Sequence, residues 1–162
     1  MRDGHHGYTP ANGILPLREA VSEDFLIRHN VNISPENIII MPGGKPTMFF
    51  CILMFGAQNK EIMYPNPGFP IYESLINYTG AKPVPIKLKE ELNFSFKAEE
   101  VLERINDQTS LIIINSPGNP TGGVIPRKEI EKLVIGLEAY PNVTILSDEI
   151  YSRLLYKGNE FK

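Results

Sequence analysis

The chain has 162 residues, of which 42 % are hydrophobic and 22 % are charged, and its formal net charge is −3. This length and composition predict one globular domain spanning residues 1–162, with enough apolar side chains for a substantial core, and they argue against a disordered chain. The small negative charge offers no positive field for nucleic acid or an anionic membrane surface, so neither is an expected partner.

Apolar residues recur at helical spacing in five segments of the chain. Pro46 and Pro126 suit the first turn of a helix, where their missing N–H is no loss, and Gly80 suits a helix end. The predicted helices are residues 16–29, a second helix with Pro46 in its first turn that continues to Phe55, residues 70–78, residues 97–106, and one that starts at Pro126 and includes Leu137.

Four apolar, β-branched runs stop abruptly in Gly, Pro, Asn or Asp, and we predict that each is a strand. A fifth, proline-containing segment at residues 83–88 suggests an edge strand. The four runs are residues 38–41, 61–64, 111–114 and 143–146. Because strands and helices alternate and the strands are apolar throughout, we expect an α/β fold with a mainly parallel sheet covered on both faces. Ligands of such sheets bind beyond the carboxyl ends of the strands.

The only cysteine, Cys51, lies in the apolar run Met48 to Phe55. It cannot form an internal disulfide, so we interpret it as a buried small side chain in a reducing compartment and predict a cytoplasmic location. The run is shorter than the ~20 residues that cross a bilayer, and no signal segment opens the chain, so we expect no membrane anchor.

The turn Gly43-Gly44-Lys45 joins a predicted strand to a predicted helix. Small residues let backbone amides approach an anion, and the helix N-terminus adds positive potential, so phosphate is one candidate ligand. A tight βα turn with no ligand explains the same residues equally well. The segment is not a nucleotide-binding P-loop, because that motif needs glycine where Ile39 stands and Ser or Thr where Pro46 stands.

Three further clusters each have two interpretations. Asp148 and Glu149 end a strand and suit either a magnesium site or a helix N-cap. The segment Asn119-Pro120-Thr121-Gly122 is by itself a common turn. Phe69 suits either a core anchor or a flat surface against a planar ring, and the core interpretation is favoured for Phe69 alone.

The histidines and serines give little support to two other kinds of site. His5 and His6 adjoin each other with only His29 beyond them, so no metal site is expected. Ser116 and Ser147 lack the Gly-x-Ser-x-Gly setting and an evident histidine partner, so a hydrolase triad is unsupported.

Taken in order, five motifs closely resemble the class I/II aminotransferases, which are fold-type I enzymes that use pyridoxal 5′-phosphate, and in particular the aspartate aminotransferases. The motifs are Gly7 to Gly13 with Leu17-Arg18, Gly43-Gly44-Lys45, Tyr64-Pro65 to Tyr72, Asn115 to Gly122, and Ser147-Asp148-Glu149-Ile150-Tyr151. The resemblance spans the whole chain. It implies the three-layer α-β-α large domain of that family, in incomplete form, and a homodimer.

The resemblance implies a role for four side chains around the cofactor ring. Asp148 corresponds to the carboxylate that pairs with the pyridine nitrogen and keeps it protonated. Asn119 and Tyr151 correspond to donors to the phenolic oxygen of the ring. Phe69 occupies the position where the family stacks an aromatic side chain on the ring.

Three other residues are implied at the cofactor phosphate. Gly44 and Lys45 correspond to its binding loop, and Tyr8 resembles the tyrosine that reaches the phosphate of the neighbouring subunit. Pro46 departs from the family, which usually has a residue with a backbone N–H there, so Thr47 is the candidate replacement donor.

No catalytic residue is assigned, because the Schiff-base lysine of the family follows a further strand and the chain ends at Lys162 before any matching segment. The family's N-terminal segment and C-terminal small domain, with its substrate-binding arginine, are absent too. We therefore interpret the chain as the cofactor-binding core of a longer enzyme, inactive alone. Two further strands of the family's sheet should lie between the strand near Ile38 and that near Leu111, so we expect either a gap or a detached first strand.

The activity implied for the full-length parent is transfer of an amino group between an amino acid and a 2-oxo acid. Three alternatives stay open at this point. They are a pyridoxal-phosphate-dependent lyase on the same scaffold, a non-catalytic module that binds the cofactor or a partner, and a nucleotide-binding protein that uses Asp148 and Glu149 for magnesium.

Overall fold

The structure is a computed structural model, and it describes residue 4 and residues 6–156. The chain divides into two compact units, Met1–Thr47 and Met48–Lys162. His5 lies outside the described residues. No helix within the described residues is both long and apolar enough to span a bilayer.

The first unit contains helix α1, Leu15–His29, and a short 3-10 turn at Pro35–Asn37. The prediction of a helix over residues 16–29 is therefore confirmed. Arg18 is buried, and its guanidinium donates to the carbonyls of Gly13 over 3.2 Å and Pro35 over 2.7 Å. These bonds fasten α1 to the segments on either side of it, because a buried guanidinium must find acceptors.

The predicted strand at residues 38–41 is wrong. Ile38 is extended, but residues 38–41 join no sheet within the described chain, and the Ile40 amide instead donates to the carbonyl of Asn12 over 3.0 Å. A β-branched run becomes a strand only when a neighbouring backbone completes its hydrogen bonds. Of the two expectations stated above, the detached first segment is the one observed.

Helix α2, Gly44–Phe55, crosses the division between the two units. It begins at Gly44, and Pro46 lies in its first turn, as predicted. Most of its length is apolar, and within the second unit Met48 and Ile52 are buried.

The second unit is built on one parallel four-stranded sheet. Its strands are β1, Glu61–Asn66; β2, Lys82–Lys87; β3, Thr109–Asn115; and β4, Thr144–Asp148. Their order across the sheet is β2-β1-β3-β4. Three of the four apolar runs and the edge segment are therefore confirmed as strands.

Three further helices connect the strands: α3, Ile71–Thr79; α4, Ala98–Leu102; and α5, Arg127–Leu137. Gly80 ends α3 in the left-handed conformation with φ of 79°, as predicted from its position. Pro126 precedes α5 as its N-cap residue. Helix α4 is shorter than the predicted 97–106 because the chain tightens after Leu102, where the Ile105 amide donates to the Leu102 carbonyl.

Apolar side chains cover both faces of the sheet. One cluster joins strand residues to α4 and α5: Met63, Val84, Ile86, Ile112, Ile114, Val101 and Leu133. The other joins the alternate strand residues to α2 and α3: Ile62, Tyr64, Leu111, Ile113, Met48, Ile52, Tyr72 and Ile76. The alternation follows the two-residue period of a strand. The three-layer α-β-α prediction is confirmed for this unit.

A gap beside the strand near Leu111 is not observed. Strand β3 pairs with β1 on one side and β4 on the other, so no opening adjoins the strand near Leu111. Within the described residues, the open edges belong to β2 and β4. Side chains of β4 alternate between partly buried and exposed, and Ile145 is 38 % exposed.

The edge formed by β2 offers few backbone donors. The Lys82 amide donates to the carbonyl of Lys60, which precedes β1, and the Leu88 amide donates to the carbonyl of Asn66, the last residue of β1. With a two-residue period, positions 83, 85 and 87 turn their nitrogens outward, and the first two are prolines without an N–H. This edge is therefore blunted against pairing with another strand.

Candidate functional site

The carboxyl ends of β1, β3 and β4 carry polar residues at one edge of the sheet. The strands end at Asn66, Asn115 and Asp148, and each is followed by a loop. Because the sheet is parallel, these loops lie on the side where open α/β folds place their ligands. The predictions for Phe69, Asn119, Asp148 and Tyr151 all fall in this region of the second unit.

The carboxylate of Asp148 is held by Tyr72 of helix α3. The tyrosine hydroxyl donates to Oδ2 over 2.5 Å, and the Ile150 amide donates to Oδ1 over 3.4 Å. Tyr72 is fully buried, at 0 % exposure. A carboxylate has about four lone-pair sites, so Asp148 retains capacity to accept a further hydrogen bond.

The environment of Tyr72 keeps its hydroxyl protonated. Burial raises the pKa of Tyr72 well above its ordinary value of 10.0, and the hydrogen bond to the Asp148 carboxylate raises this pKa further. The phenol is therefore a donor at all physiological pH values. Because this buried hydroxyl stays protonated and in place, it constrains where the carboxylate of Asp148 lies.

Phe69 stands beside this pair in the loop after β1. Its ring lies 6.0 Å from that of Tyr72, centroid to centroid, at an interplanar angle of 88°. It is only partly buried and packs at the border of the core. The loop folds closely onto itself at Gly68, just before Phe69. A Cβ on Gly68 would lie 2.1 Å from the Pro65 carbonyl oxygen. Glycine therefore permits the turn that presents Phe69.

Asn115 connects Asp148 to the loop that carries Asn119. Its Nδ2 donates to the backbone carbonyl of Asp148 over 2.9 Å, and its Oδ1 accepts from the backbone amide of Asn119 over 2.8 Å. The loop is also closed on itself, since the Gly118 amide donates to the Gly123 carbonyl over 2.9 Å. Asn119 thus lies in a loop fastened at both ends.

Asn119 and Tyr151 line one cavity of about 260 Å³. Pro120 also borders the cavity, as do Leu154 and Tyr156 from the segment after β4. The side chain of Asp148 is not part of this lining, and neither is Phe69. The structure therefore groups the four ring-site candidates into two connected pairs, Asn119 with Tyr151 and Asp148 with Phe69 through Tyr72.

The candidates for the phosphate lie in the first unit. Tyr8 is fully exposed, Gly44 is the first residue of α2, and Lys45 is exposed. The Thr47 hydroxyl donates to the Gly43 carbonyl over 3.2 Å, so its proton is already used. Pro46 has no N–H, which leaves the amides of Gly44 and Lys45 and the lysine ammonium as the available donors.

Glu149 bears on the magnesium interpretation. Its carboxylate accepts from the Ser147 hydroxyl over 2.8 Å. Within the described residues, no group of three or more His, Cys, Asp or Glu side chains is arranged to hold a metal ion. Nothing in this geometry favours a magnesium-dependent nucleotide site.

A family model described as aminotransferase class I and II matches residues 1–162 of the chain. The chain belongs to this family. Aspartate aminotransferase of Bacillus sp. (strain YM-2) is 36 % identical over 161 residues, covering 99 % of this chain and 41 % of that protein. The (5-formylfuran-3-yl)methyl phosphate transaminase of Methanocaldococcus jannaschii is 38 % identical over 159 residues, covering 98 % of this chain and 39 % of that protein.

Solved aminotransferase structures have the same fold. Alanine aminotransferase from Pyrococcus furiosus superimposes with a TM-score of 0.92 at 27 % identity, over 99 % of this chain and 41 % of that one. Aspartate aminotransferase from Thermus thermophilus with maleate gives a TM-score of 0.92 at 31 % identity, over 99 % and 42 %. The chain spans 39–42 % of the length of eight curated relatives that it matches.

Two residues of this aminotransferase chain were given no role by the sequence. Tyr72 entered only as the end of a motif, and Asn115 only as the start of another. Tyr72 stands close to Phe69 in the sequence, and Asn115 stands close to Asn119. The bond from Tyr72 to Asp148, however, spans 76 positions of the chain, and the bond from Asn115 to Asp148 spans 33. No local pattern encodes contacts of that range.

Proposed function

We propose that the chain is the ring-binding core of a pyridoxal-phosphate-dependent aminotransferase, whose full-length form transfers an amino group between an amino acid and a 2-oxo acid. The observation that carries the proposal is the anchored carboxylate of Asp148, held by Tyr72 and still able to accept a bond. Family membership supports it. The relatives named above are transaminases, which favours this activity over a lyase.

The residues present suit the cofactor. A carboxylate at Asp148 is the acceptor that a protonated ring nitrogen requires, and Asn119 and Tyr151 supply donors for a phenolic oxygen. Phe69 supplies an aromatic face. When bound, pyridoxal phosphate provides an electron-accepting ring that stabilises negative charge on a substrate carbon. In this proposal Asp148 holds the proton on the ring nitrogen, and Asn119 and Tyr151 orient the ring.

The family resemblance assigns the phosphate to Gly44 and Lys45, with Tyr8 reaching the phosphate of a neighbouring subunit. Two exposed amides at the start of α2 and the lysine charge support anion binding. Lys45→Ala should weaken binding of inorganic phosphate, measured by calorimetry. Pro46→Ala adds one backbone N–H and should strengthen that binding if the first turn of α2 meets the phosphate.

A homodimer is part of the proposal. Within the second unit, Phe50, Leu53 and Met54 of α2 are exposed at spacings of three and four residues, and Tyr78 of α3 is 73 % exposed. An exposed apolar patch of this kind is typical of a protein interface. Light scattering should report a dimer, and Met54→Lys should shift it towards monomer.

The proposal also includes a cytoplasmic location. Cys51 is the only cysteine of the sequence, and burial raises the pKa of its thiol, which suits an unreactive side chain. Fractionation of cells expressing the full-length gene would test this location.

The decisive experiment is titration of the chain with pyridoxamine 5′-phosphate, which carries an amine instead of an aldehyde and so needs no lysine to bind. We expect the wild-type chain to bind it, and Asp148→Asn to bind it at least about tenfold more weakly. Glu149→Gln makes the same charge change one residue away and should bind as the wild type does. Binding of ATP with magnesium, but not of pyridoxamine phosphate, would overturn the proposal.

A further inference from the structure

The side chain of Asn115 bridges Asn119 and Asp148. In the proposed function these two residues contact different atoms of the cofactor ring. Asn115 ends strand β3, is 4 % exposed, and uses both ends of its amide group. One end reaches the Asp148 carbonyl at 2.9 Å and the other the Asn119 amide at 2.8 Å. Asn115 and Asp148 are also direct partners in the register of β3 and β4.

This bonding pattern requires asparagine. One planar group must offer a donor to a carbonyl and an acceptor to an N–H. The side chain that carries this group must also be as short as that of asparagine. Aspartate would set a carboxylate against the Asp148 carbonyl, and leucine, of similar size, would leave both backbone groups without this partner. Buried backbone groups are satisfied in native proteins because leaving them unpaired is costly.

Asn115 itself is placed behind the site rather than in it. It does not line the cavity formed by Asn119 and Tyr151. Its two bonds act on backbone atoms of Asn119 and Asp148, and so leave the side chains of those two residues available to a ligand. A residue with this placement acts on the ligand only through its neighbours.

We propose that Asn115 is a positioning residue that sets the spacing between Asn119 and Asp148, and thereby between the contacts to the phenolic oxygen and to the nitrogen of the cofactor ring. The inference rests on the proposed function. Both residues sit on separate elements, a loop after β3 and the end of β4, and Asn115 is the side chain that joins the two. Their spacing is thus set before any ligand arrives, which lowers the cost of ordering the site on binding.

A second asparagine bridge, at the other end of β3, serves as a control. Asn106 precedes that strand, and its Oδ1 accepts from the Gln108 amide over 2.8 Å while its Nδ2 donates to Glu61 over 2.9 Å. Like Asn115 it uses both ends of its amide group, but at the amino end of the sheet, and it is exposed and donates to a side-chain carboxylate rather than to a backbone carbonyl. Asn106→Leu tests whether the loss of a bridge elsewhere in the unit also weakens ligand binding at the site.

The experiment titrates the full chain and its variants with pyridoxamine 5′-phosphate. Asn115→Leu should weaken binding by at least about tenfold, whereas Asn106→Leu should bind as the wild type does. A second readout is the pKa of the ring nitrogen in the bound ligand, followed by its absorbance against pH. That pKa should fall towards the value of the free ligand in Asn115→Leu and stay unchanged in Asn106→Leu, because only the first variant removes a bond to the backbone of Asp148.

Two further measurements keep the inference testable if Asn115→Leu does not fold. Asn115→Asp keeps the size of the side chain and the acceptor for Asn119 but loses the donor to Asp148, and it should also weaken binding. In the wild-type chain without ligand, the Asn119 amide should exchange with solvent far more slowly than an open peptide amide. Unprotected exchange at Asn119 would overturn the inference.

The outcomes separate the two claims. If the wild-type chain fails to bind pyridoxamine phosphate, the proposed function fails and the inference falls with it. If the wild type binds and both Asn115 variants bind equally well, the inference alone is overturned. If Asn106→Leu loses as much affinity as Asn115→Leu, the role of Asn115 is general support of the fold, and the positioning role is rejected.

Discussion

The Tyr72 hydroxyl donates to the Asp148 carboxylate over 2.5 Å and so ties helix α3 to strand β4. The two residues are 76 positions apart, and Tyr72 packs in the apolar cluster beneath the sheet. A single bond therefore couples the core to the residue on which the proposed function depends. Two predictions test it.

Tyr72→Phe removes the hydroxyl and keeps the ring. Hydrogen bonds to charged groups contribute more than neutral ones, but water can reach the partly exposed Asp148, so we expect a loss of about 1–2 kcal/mol in the free energy of unfolding. Urea denaturation measures it. Tyr78→Phe, on the exposed side of the same helix, should change this free energy by less than about 0.5 kcal/mol. Equal losses in both variants would show that the bond contributes nothing specific.

Alkaline pH should weaken the wild type through the same group. Folding raises the pKa of Tyr72 above its unfolded value near 10.0, so its contribution is complete below that pH and is lost as the pH rises above it. The unfolded chain releases the proton first, and the free energy of unfolding then falls. Tyr72→Phe should show a shallower decline above about pH 10. Parallel declines in the two proteins would contradict this origin.

The strands at the centre of the sheet could be predicted because they are apolar on both faces. All seven residues of β3 are buried, and the run of isoleucines within it shows this in the sequence. Residues 38–41 have the same local character but form no strand, because partner strands are not encoded in a segment itself. Sequence identifies a strand-forming run, while the neighbouring backbone decides whether it becomes one.

The candidate site shows the same division. Parallel strands place Asn115 and Asp148 at one edge, so their proximity follows from the topology that the sequence indicates. The bond from Tyr72 to Asp148 cannot be predicted in this way, since it depends on how α3 is rotated on the sheet. The separation of Asp148 from the cavity beside Asn119 likewise depends on side-chain directions that no spacing in the sequence reveals.

Gly68→Ala should destabilise the loop that presents Phe69. The added Cβ would meet the backbone carbonyl oxygen of Pro65 at 2.1 Å, and backbone cannot move aside as a flexible side chain can. Overpacking of this kind costs about 1–3 kcal/mol, measured by urea denaturation. Gly7→Ala is the control, because nothing lies within 4 Å of its added Cβ. Unchanged stability of Gly68→Ala would mean that the loop relaxes freely.

Glu61 should make the protein sensitive to acid. Its nearly buried carboxylate accepts from Lys82 Nζ over 2.6 Å and from Asn106 Nδ2 over 2.9 Å. The hydrogen bond from Lys82 holds the pKa of Glu61 below its ordinary value of 4.5, and that from Asn106 lowers it further. The stabilisation is therefore present above about pH 4.5 and is lost as the pH falls below it.

Glu61→Gln removes the charge at this position. At neutral pH it should lose about 1–3 kcal/mol of unfolding free energy, and its stability should depend less on pH between about 5 and 3 than that of the wild type. Glu99→Gln is the matched control, since Glu99 pairs with Lys132 over 2.7 Å but both side chains are exposed, so water competes for the pair. A smaller loss in Glu61→Gln than in Glu99→Gln would contradict the argument, because burial is what should make the Glu61 bonds matter.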